Sequence, residues 1–322
     1  MNKIPIIAVV GPTASGKTAL AVKLARHFDA EVLSFDSMQL YEGMDIATAK
    51  PTTEEMQGIP HHMIGCVPRN EVFSVALYKD AATKIIDDIL SRGKRVVMVG
   101  GTGLYLDSLM ENIEFLEDGN DSKKRFEVRA RLESELLEHG PAYMHGVLAG
   151  IDPKTAESLH PNNTGRVLRA LEIYYTTGKT MSYQVEHSKL IESRYAPIYI
   201  GLGASDRQYL YDRINQRVDL MLEGGLMNEV VDFVNEEPGA TARQAIGLKE
   251  LAPYVRGEDD LVTCIDRLKQ ETRRYAKRQL TWFRRNKAVH WLMIDVMSED
   301  ELFDAAVKII EEEGERERSS EA

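Results

Sequence analysis

A short glycine-bounded stretch near the N-terminus constrains the fold of this chain more than any other feature. An apolar run over residues 6–10 has strand character, and a helical pattern of alanines and leucines begins at residue 19. The stretch between them has the spacing Gly-x-x-x-x-Gly-Lys-Thr and consists of Gly11, Pro12, Thr13, Ala14, Ser15, Gly16, Lys17 and Thr18. A strand, this loop and a helix in that order are typical of a P-loop.

The P-loop predicts a bound di- or triphosphate. Its backbone N–H groups and the helix N-terminus direct partial positive charge into one concavity, and Lys17 adds a full charge. Thr18 is placed to reach a Mg²⁺ ion on the phosphates, so it is the predicted metal ligand. The loop alone does not say which molecule carries the phosphates, although a nucleotide such as ATP is the usual guest.

Alternating strand and helix patterns follow the P-loop. Residues 31–35 and 95–99 have the pattern of buried strands, and residues 75–91 that of an amphipathic helix. This alternation predicts an α/β fold, with a P-loop-type parallel sheet and helices on both faces. The carboxyl ends of parallel strands form the usual active-site crevice, so we expect the P-loop, Asp36 and Thr102 on one rim.

The pattern changes after about residue 115. From there to about residue 195 the periodicity is helical, with helices expected over 123–139, 155–159 and 164–177. Strand character returns near residues 198 and 290. We therefore expect an α/β core formed by 1–115 and 196–310, an inserted all-helical lobe at 116–195, and a disordered acidic tail at 311–322.

The net charge of −11 argues against a nucleic-acid partner only as an average. Much of the acid lies in the tail, whereas nine Lys and Arg residues between Arg267 and Lys287 face one acid, Glu271. They fall on a predicted helix over about 261–287, where several arginines share one side. A solvated charged face is the ordinary interpretation, but in an acidic protein this stripe favours a surface that meets a polyanion.

Cysteine usage and the N-terminus indicate the compartment. Cys66 and Cys264 provide no disulfide framework, which fits a reducing interior. The first residues run directly into a strand without room for a signal peptide, and no apolar run approaches the ~20 residues of a membrane span. We expect a cytoplasmic monomer with no membrane contact and no obligate protein partner.

Asp36 is the candidate for the chemistry. P-loop NTPases hold Mg²⁺ with an acid after a second core strand, but the strand at 95–99 ends in Gly100-Gly101-Thr102 and supplies none. Asp36 follows the strand at 31–35, where it can take a proton from an incoming hydroxyl or amine. This placement favours a group transferase over a motor or switch ATPase. A role for Asp36 as a turn or helix-cap residue stays open.

Two weaker signals stay open as well. His61, His62 and Cys66 lack the spacing of a Cys/His zinc site, so a structural role is favoured over metal binding. Arg125, at the start of the inserted lobe, is by itself a surface charge. Its place near the hinge between lobe and core would let it swing over a bound phosphate.

The assembled motifs resemble the bacterial tRNA dimethylallyltransferase family, also called the tRNA isopentenyltransferases. Besides the P-loop, the motifs are Asp-Ser-Met-Gln-Leu-Tyr at 36–41 and others at 43–51, 60–62, 100–105, 160–169, 244–247 and 276–282. The resemblance implies transfer of a dimethylallyl group from dimethylallyl diphosphate to N6 of adenine 37 in tRNA, with Mg²⁺ assisting. The P-loop would then hold a diphosphate leaving group instead of ATP.

The resemblance also implies roles for individual residues. Asp36 would accept the N6 proton, and Thr102 and Arg125 would complete the catalytic set by helping to neutralise the diphosphate. Asp36, Ser37, Met38 and Gln39 would line the pocket of an adenine flipped out of the anticodon loop. The helical lobe would grip the anticodon stem-loop. The further residues expected to touch the RNA are Gly165, Arg166, Arg169, Gln244, Gly247, Lys249, Arg274 and Arg278.

The chain departs from the family pattern in two places. Some eukaryotic relatives carry a C-terminal zinc finger, whereas this chain ends in an acidic stretch without a Cys/His cluster. Ala47 stands where many members have glycine, which leaves the local backbone angle open.

Two other functions fit parts of the pattern. A P-loop small-molecule or nucleoside kinase would use Asp36 to activate a hydroxyl, but it leaves the basic helix and the inserted lobe without a task. A non-catalytic, nucleotide-dependent RNA-binding protein would keep its function after Asp36→Ala.

Overall fold

The computed structural model describes residues 3–115, 122–188, 190–236 and 238–320. The chain forms two compact units, one of Met1–Leu109 with Arg194–Ala322 and the other of Met110–Ser193. These divisions lie close to the predicted lobe bounds of 116 and 195. Residues 116–121, where the lobe was expected to begin, lie outside the described residues, as do 321 and 322.

A parallel sheet forms the first unit. Its strands are β1 (Ile4–Val10), β2 (Ala30–Ser34), β3 (His61–His62), β4 (Arg95–Val99), β5 (Tyr195–Gly203) and β6 (Val289–Met293). The six strands lie in the order β3-β2-β4-β1-β5-β6, and each neighbouring pair is parallel. The predicted α/β fold with a parallel sheet is therefore confirmed.

Helices connect and cover the strands. In the described part of the chain they are α1 (Lys17–His27), α2 (Thr53–Met56), α3 (Val75–Ser91), α4 (Gly103–Met110), α5 (Ser122–Ile151), α6 (Pro153–Ser158), α7 (Thr164–Thr177), α8 (Met181–Ser188), α9 (Arg207–Glu223), α10 (Leu226–Asn235), α11 (Leu248–Val255), α12 (Leu261–Phe283) and α13 (Glu299–Ser320). The strand at 95–99 and the helices at 75–91 and 164–177 have the predicted bounds.

The central strand β1 is buried on both faces. Ile7 and Val9 pack in one cluster with residues of α1 and α13. Ile6, Ala8 and Val10, which alternate with them, are also fully buried. Burial on both faces explains why the sequence shows a continuous apolar run at 6–10 instead of an alternating one.

The carboxyl ends of three strands meet at one edge of the sheet. β1 ends just before the P-loop, β2 ends two residues before Asp36, and β4 ends three residues before Thr102. Because β1 lies between β4 and β5, the P-loop emerges at the centre of the sheet. The expected common rim is thus present.

The second unit contains α5 to α8. α5 is interrupted at Gly140 (φ 82°, ψ 174°), where the sequence predicts a helix end, and a further helical segment begins with Pro141. α7 ends at Gly178 in the left-handed conformation. The core of this unit is formed between α5 and α7 and includes Leu132, Met144, Leu148, Val167, Leu168 and Leu171.

The helix α13 shows that the disorder expected for the C-terminal stretch was wrong for most of it. It runs to Ser320, so most of the stretch 311–322, expected to be disordered, is helical. Its residues Leu302, Ala306 and Ile310, spaced one turn apart, are buried in the cluster with β1. This packing holds the helix against the sheet. The acidic residues that follow extend a helix that has already formed, which is easier than starting a new one. None of the described helices is long and apolar enough to cross a membrane.

A buried charge cluster joins the edge of the sheet to the end of α3. Glu31 in β2 is only 4% exposed. It accepts hydrogen bonds from Arg92 (Nη2–Oε2, 2.9 Å) and lies 2.7 Å from Nε2 of His62. These partners, Arg92 above all, lower the pKa of Glu31 to about 2. His62 therefore has a structural partner here, and Nδ1 of His61 lies 2.8 Å from the carbonyl oxygen of Ile59.

We expect Glu31→Gln to lower the free energy of unfolding by about 2 kcal/mol at neutral pH, because a buried acceptor loses its charge. The pKa of Glu31 is lower in the folded protein than its ordinary 4.5. Its contribution is therefore complete above pH 4.5 and is lost as the pH falls toward 2. Urea titrations of both proteins at several pH values should show the difference shrink in acid; a constant difference would contradict this.

Candidate active site

The P-loop is shaped by two glycines with left-handed backbone angles. Gly11 has φ +143°, and a Cβ there would lie 2.4 Å from the carbonyl oxygen of Leu202 in β5. Gly16, with φ +86°, is the N-cap residue of α1. The hydroxyl of Ser15 donates to the carbonyl of Pro12 (2.8 Å), which closes the turn from within. Only glycine accommodates this path at both positions, as the motif requires.

Lys17 lies partly buried against this loop. Its Nζ donates to the carbonyl oxygen of Pro12 at 2.5 Å. Burial and, to a smaller extent, repulsion by Arg217 lower the pKa of Lys17 to about 7, while the nearby Asp36 opposes both effects. The ammonium is thus held where its charge is poorly compensated by the protein, as expected of a group that awaits an anion.

Arg217, in α9, is a second cation at this site, and the sequence analysis did not identify it. Burial lowers its pKa, and Asp36 and Glu55 partly compensate its charge. Its guanidinium has no hydrogen-bond or ion-pair partner among the described residues. One helical turn earlier, Nε of Arg213 donates to the carbonyl of Ala14 at 2.9 Å. α9 therefore brings two arginines to the P-loop, and their spacing of four residues was the available signal.

Asp36 combines the two roles that the sequence left open. Its Oδ1 accepts hydrogen bonds from the backbone N–H of Met38 (2.9 Å) and of Gln39 (3.4 Å), which is a turn role. Its Oδ2 has no hydrogen-bond partner within the described residues. A Cβ on Gly101 would lie 3.8 Å from this oxygen, so Oδ2 faces the turn after β4. One carboxylate oxygen fixes the backbone and the other is available to a ligand.

Thr102 is brought to the Asp36 turn, as its position at the end of a parallel strand predicts. Its Oγ1 accepts from the backbone N–H of Ser37 (3.0 Å) and donates to the hydroxyl of Ser37 (3.2 Å). The loops after β2 and β4 are thereby joined directly. Asp36, Ser37, Thr102 and the P-loop all lie in the first unit, on its crevice edge.

Gln39 is engaged in holding a neighbouring loop. Its amide donates to the carbonyls of Thr48 (3.3 Å) and Ala49 (3.1 Å), and its Oε1 accepts from the hydroxyl of Ser34 (3.2 Å). Its expected contact with an adenine stays a prediction. The side chains of Ser37 and Met38 on the same turn are only partly buried.

A carboxylate anchors the loop that Gln39 contacts. Glu229, in α10, accepts hydrogen bonds at 2.7–2.9 Å from the backbone N–H groups of Asp45, Ile46 and Ala47. Ala47 is not among the residues with positive φ, so its backbone angle does not require glycine. A Cβ on Gly247 (φ +107°) would lie 3.5 Å from the methyl group of Ala47.

Three of the residues expected to touch RNA surround the start of α11. Gly247 donates its backbone N–H to Glu250 (2.9 Å), and Nζ of Lys249 lies 3.7 Å from the same carboxylate. Gln244 ends a short 3-10 turn, Ala242–Gln244, and its side chain is exposed. This segment packs beside the 45–47 loop through Gly247.

In the second unit, the expected arginines gather around one buried acid. Glu172 is 4% exposed. It accepts from Arg125 (Nε, 2.8 Å) and Arg169 (Nη1, 2.6 Å), and Nη1 of Arg129 lies 3.5 Å away. Gly165 and Arg166 are exposed at the start of α7. The cluster carries more positive than negative charge, which suits a phosphate; the action of Arg125 on a diphosphate stays a prediction.

The basic helix α12 is divided along its length. In its first part Arg267 pairs with Asp259 (2.7 Å), Lys269 with Asp219 (2.6 Å) and Arg274 with Glu271 (2.5 Å). Four exposed cations lie in the last two turns of the helix and just after it: Lys277, Arg278, Arg284 and Lys287. We call them the basic end. Within the described residues these four have no ion-pair partner. Apart from Arg273, which donates to the amide oxygen of Asn215 (2.7 Å), the unneutralised charge of the described stripe therefore lies at one end.

Thr18 is the residue with the chemistry of a metal ligand. Its hydroxyl has no hydrogen-bond partner in the described part of the chain. No group of three His, Cys, Asp or Glu side chains among the described residues could hold a metal ion by itself. A cation at the P-loop would thus depend on oxygens of the bound phosphates.

Known proteins resemble this chain over most of its length. The sequence model of a family described as IPP transferase matches residues 39–286. A tRNA dimethylallyltransferase from Acetivibrio thermocellus is 48% identical over 298 residues, which cover 92% of this chain and 94% of that relative.

Solved structures give the same result. A tRNA delta(2)-isopentenylpyrophosphate transferase from Staphylococcus epidermidis has a TM-score of 0.70 and 43% identity, covering 97% of this chain and 100% of that one. A eukaryotic dimethylallyltransferase acting on tRNA has a TM-score of 0.75 and 32% identity, covering 90% of this chain and 74% of that one.

We expect Arg217→Met to weaken the binding of inorganic pyrophosphate roughly tenfold or more, because one charge-assisted contact contributes about 1.5–3 kcal/mol. Arg207→Met, at an exposed position of the same helix, is the matched control and should bind as the wild type does. Isothermal titration calorimetry measures both. Equal affinities of the two variants would show that Arg217 does not face the ligand.

Proposed function

The chain belongs to the IPP transferase family, and we propose that it transfers the dimethylallyl group of dimethylallyl diphosphate to N6 of adenine 37 in tRNA. The reaction forms a bond between N6 and the allylic carbon, breaks the bond from that carbon to the diphosphate oxygen, and releases one proton from N6. A tRNA substrate makes the cytoplasm the compartment that we propose for it.

The P-loop and its cations are proposed to hold the diphosphate. As the carbon–oxygen bond breaks, negative charge grows on the diphosphate while the allylic carbon becomes positive. Lys17 and Arg217, partly buried and only partly compensated by nearby acids, are suited to stabilise that negative charge. Thr102 and Arg125 are proposed to add to this stabilisation, Arg125 as a fork-shaped donor to phosphate oxygens.

Asp36 is proposed to receive the proton from N6. The exocyclic amine of adenine is a poor nucleophile, so a positioned base assists its attack. The observation that carries this proposal is the Oδ2 of Asp36, which has no hydrogen-bond partner within the described residues and lies on the same rim as the P-loop. Its other oxygen, bonded to the backbone of Met38, holds the carboxylate in place.

Mg²⁺ is proposed as the metal, with Thr18 as its ligand from the protein. The unpartnered hydroxyl of Thr18 supports this assignment, since it directly follows Lys17 at the start of α1. When bound with the diphosphate, the ion would neutralise part of the leaving group's charge.

The RNA surface is proposed to include residues of both units. Ser37, Met38 and Gln39 would line the adenine pocket beside Asp36. Contacts with the RNA backbone and the anticodon stem-loop are proposed for Gly165, Arg166, Arg169, Gln244, Gly247, Lys249, Arg274 and Arg278. Arg278 belongs to the basic end, whereas Arg274 would have to exchange its pairing with Glu271 for a phosphate.

Mass spectrometry of anticodon-loop fragments tests the function directly. We expect an unmodified tRNA with adenine at position 37, incubated with the protein, dimethylallyl diphosphate and Mg²⁺, to gain one dimethylallyl group on that adenine. A parallel incubation with labelled ATP and metabolites tests the kinase alternative. Turnover of ATP alone would overturn the proposal.

We expect Asp36→Asn to lower kcat by at least a hundredfold while tRNA affinity stays within twofold. Asparagine keeps the oxygen that accepts from Met38 but cannot take a proton, and general bases typically contribute 10²- to 10⁴-fold. Asp45→Asn, on the neighbouring loop, is the control. Full activity of Asp36→Asn would remove Asp36 from the reaction.

We expect tRNA binding to weaken steeply with salt and the basic end to carry much of that dependence. Replacing Lys277, Arg284 and Lys287 by alanine should reduce the slope of log affinity against log salt by about 2. The control is Arg267→Ala with Lys269→Ala, whose cations are already paired within the protein. Equal slopes in the two sets would contradict a special role for the basic end.

A further inference from the structure

The side chain of Gln279 bridges two loops of the candidate site. Gln279 lies in α12 and is 4% exposed. Its Oε1 accepts from the backbone N–H of Thr13 in the P-loop at 2.9 Å. Its Nε2 donates to the carbonyl of Gly101, in the turn after β4, at 3.1 Å. A single amide thus satisfies one polar group on each loop.

The fit around this amide is close. A Cβ on Gly101 would lie 1.8 Å from Nε2 of Gln279, and 3.8 Å from Oδ2 of Asp36. The hydroxyl of Tyr275, one turn earlier in α12, lies beside both Thr102 and Gln279. The glycine at 101 is therefore required by the approach of the Gln279 side chain, next to the oxygen proposed as the base.

The same helix covers the P-loop from outside. Ala276 of α12 packs against Ala14 of the P-loop, together with Leu210 and Ile214 of α9. At the start of α4, which follows the turn after β4, a Cβ on Gly103 would lie 2.0 Å from Trp282. The indole N–H of Trp282 donates to Asp107 at 2.9 Å. Gln279 is thus the polar centre of a face whose apolar neighbours fix α12 against both loops.

We propose that Gln279 is a positioning residue, which holds the P-loop and the Thr102 turn at the separation that the transfer reaction needs. The proposal rests on the function proposed above. Because α12 also carries the basic end, the bridge makes the helix that meets tRNA part of the diphosphate site. RNA that docks on the exposed face of α12 then acts on a helix already hydrogen-bonded to both catalytic loops.

The bridge predicts a loss in kcat and not in RNA affinity. Gln279 is buried and offers no atom to a tRNA backbone, whereas a displacement of about 1 Å between reacting groups can cost a hundredfold in rate. Removing the amide frees the Thr13 N–H and the Gly101 carbonyl, which are then unsatisfied beside Asp36. The two loops lose the group that couples them.

The first test compares Gln279→Met with Gln270→Met, at an exposed position of the same helix. We expect Gln279→Met to lower kcat at least tenfold with the tRNA Kd within twofold, and Gln270→Met to change neither. Faster amide exchange in the P-loop of Gln279→Met alone would report the lost bond to Thr13. A kcat within twofold of the wild type, or a loss confined to tRNA Kd, would overturn the proposal.

The second test uses Gln279→Glu. It remains informative if Gln279→Met does not fold. The introduced carboxylate keeps the acceptor for Thr13, but when ionised it cannot donate to Gly101, and it faces Asp36 and the Tyr275 hydroxyl. Its kcat relative to the wild type should rise as the pH falls, because the protonated acid donates again. A ratio independent of pH would overturn the proposal. An inactive wild type would refute the proposed function instead.

Discussion

The partial burial of two neighbouring cations, Lys17 and Arg217, at the P-loop is the constraint on which the candidate site depends. Burial is the main cause that lowers the pKa of both groups; repulsion by Arg217 adds to it for Lys17, and repulsion by Arg213 adds to it for Arg217. Asp36 compensates part of this charge, and one of its oxygens has no partner in the described part of the chain. Such a placement is unfavourable for the empty protein, so a multiply charged anion is the ligand it suits.

The helix α12 has one face against the loops of the candidate site and another face that carries cations. Its buried side contributes Gln279, Ala276 and Trp282, which contact the P-loop and the turn after β4. Its other side carries cations, of which Arg267 and Lys269 in the first half are paired with nearby acids. The proposed tRNA surface and the proposed diphosphate site would thus share one helix.

Carboxylates inside the molecule explain why its acidic composition misleads. Glu229 accepts three backbone N–H groups of one loop, and Glu172 gathers the arginines of the second unit. Glu31 likewise contacts Arg92 and His62 near the edge of the sheet. These acids lower the net charge while they hold basic or backbone groups in place, so the average says little about the charge that a partner meets.

Short-range patterns in the sequence determined the P-loop, the buried strands and helices such as 75–91. Each of these elements is encoded by residues that are close together in the chain, through loop spacing, apolar runs and helical periodicity. The sequence also placed Asp36 and Thr102 on one rim, since parallel strands share their direction. Only the tertiary structure decided the rest. The four-residue spacing of Arg213 and Arg217 is a weak signal, because it also occurs on solvated helices. The glycines at 101 and 103 showed a turn but not the helix that packs on it. The two oxygens of Asp36 acquire different roles because residues far apart in the chain surround them, and no local pattern encodes that.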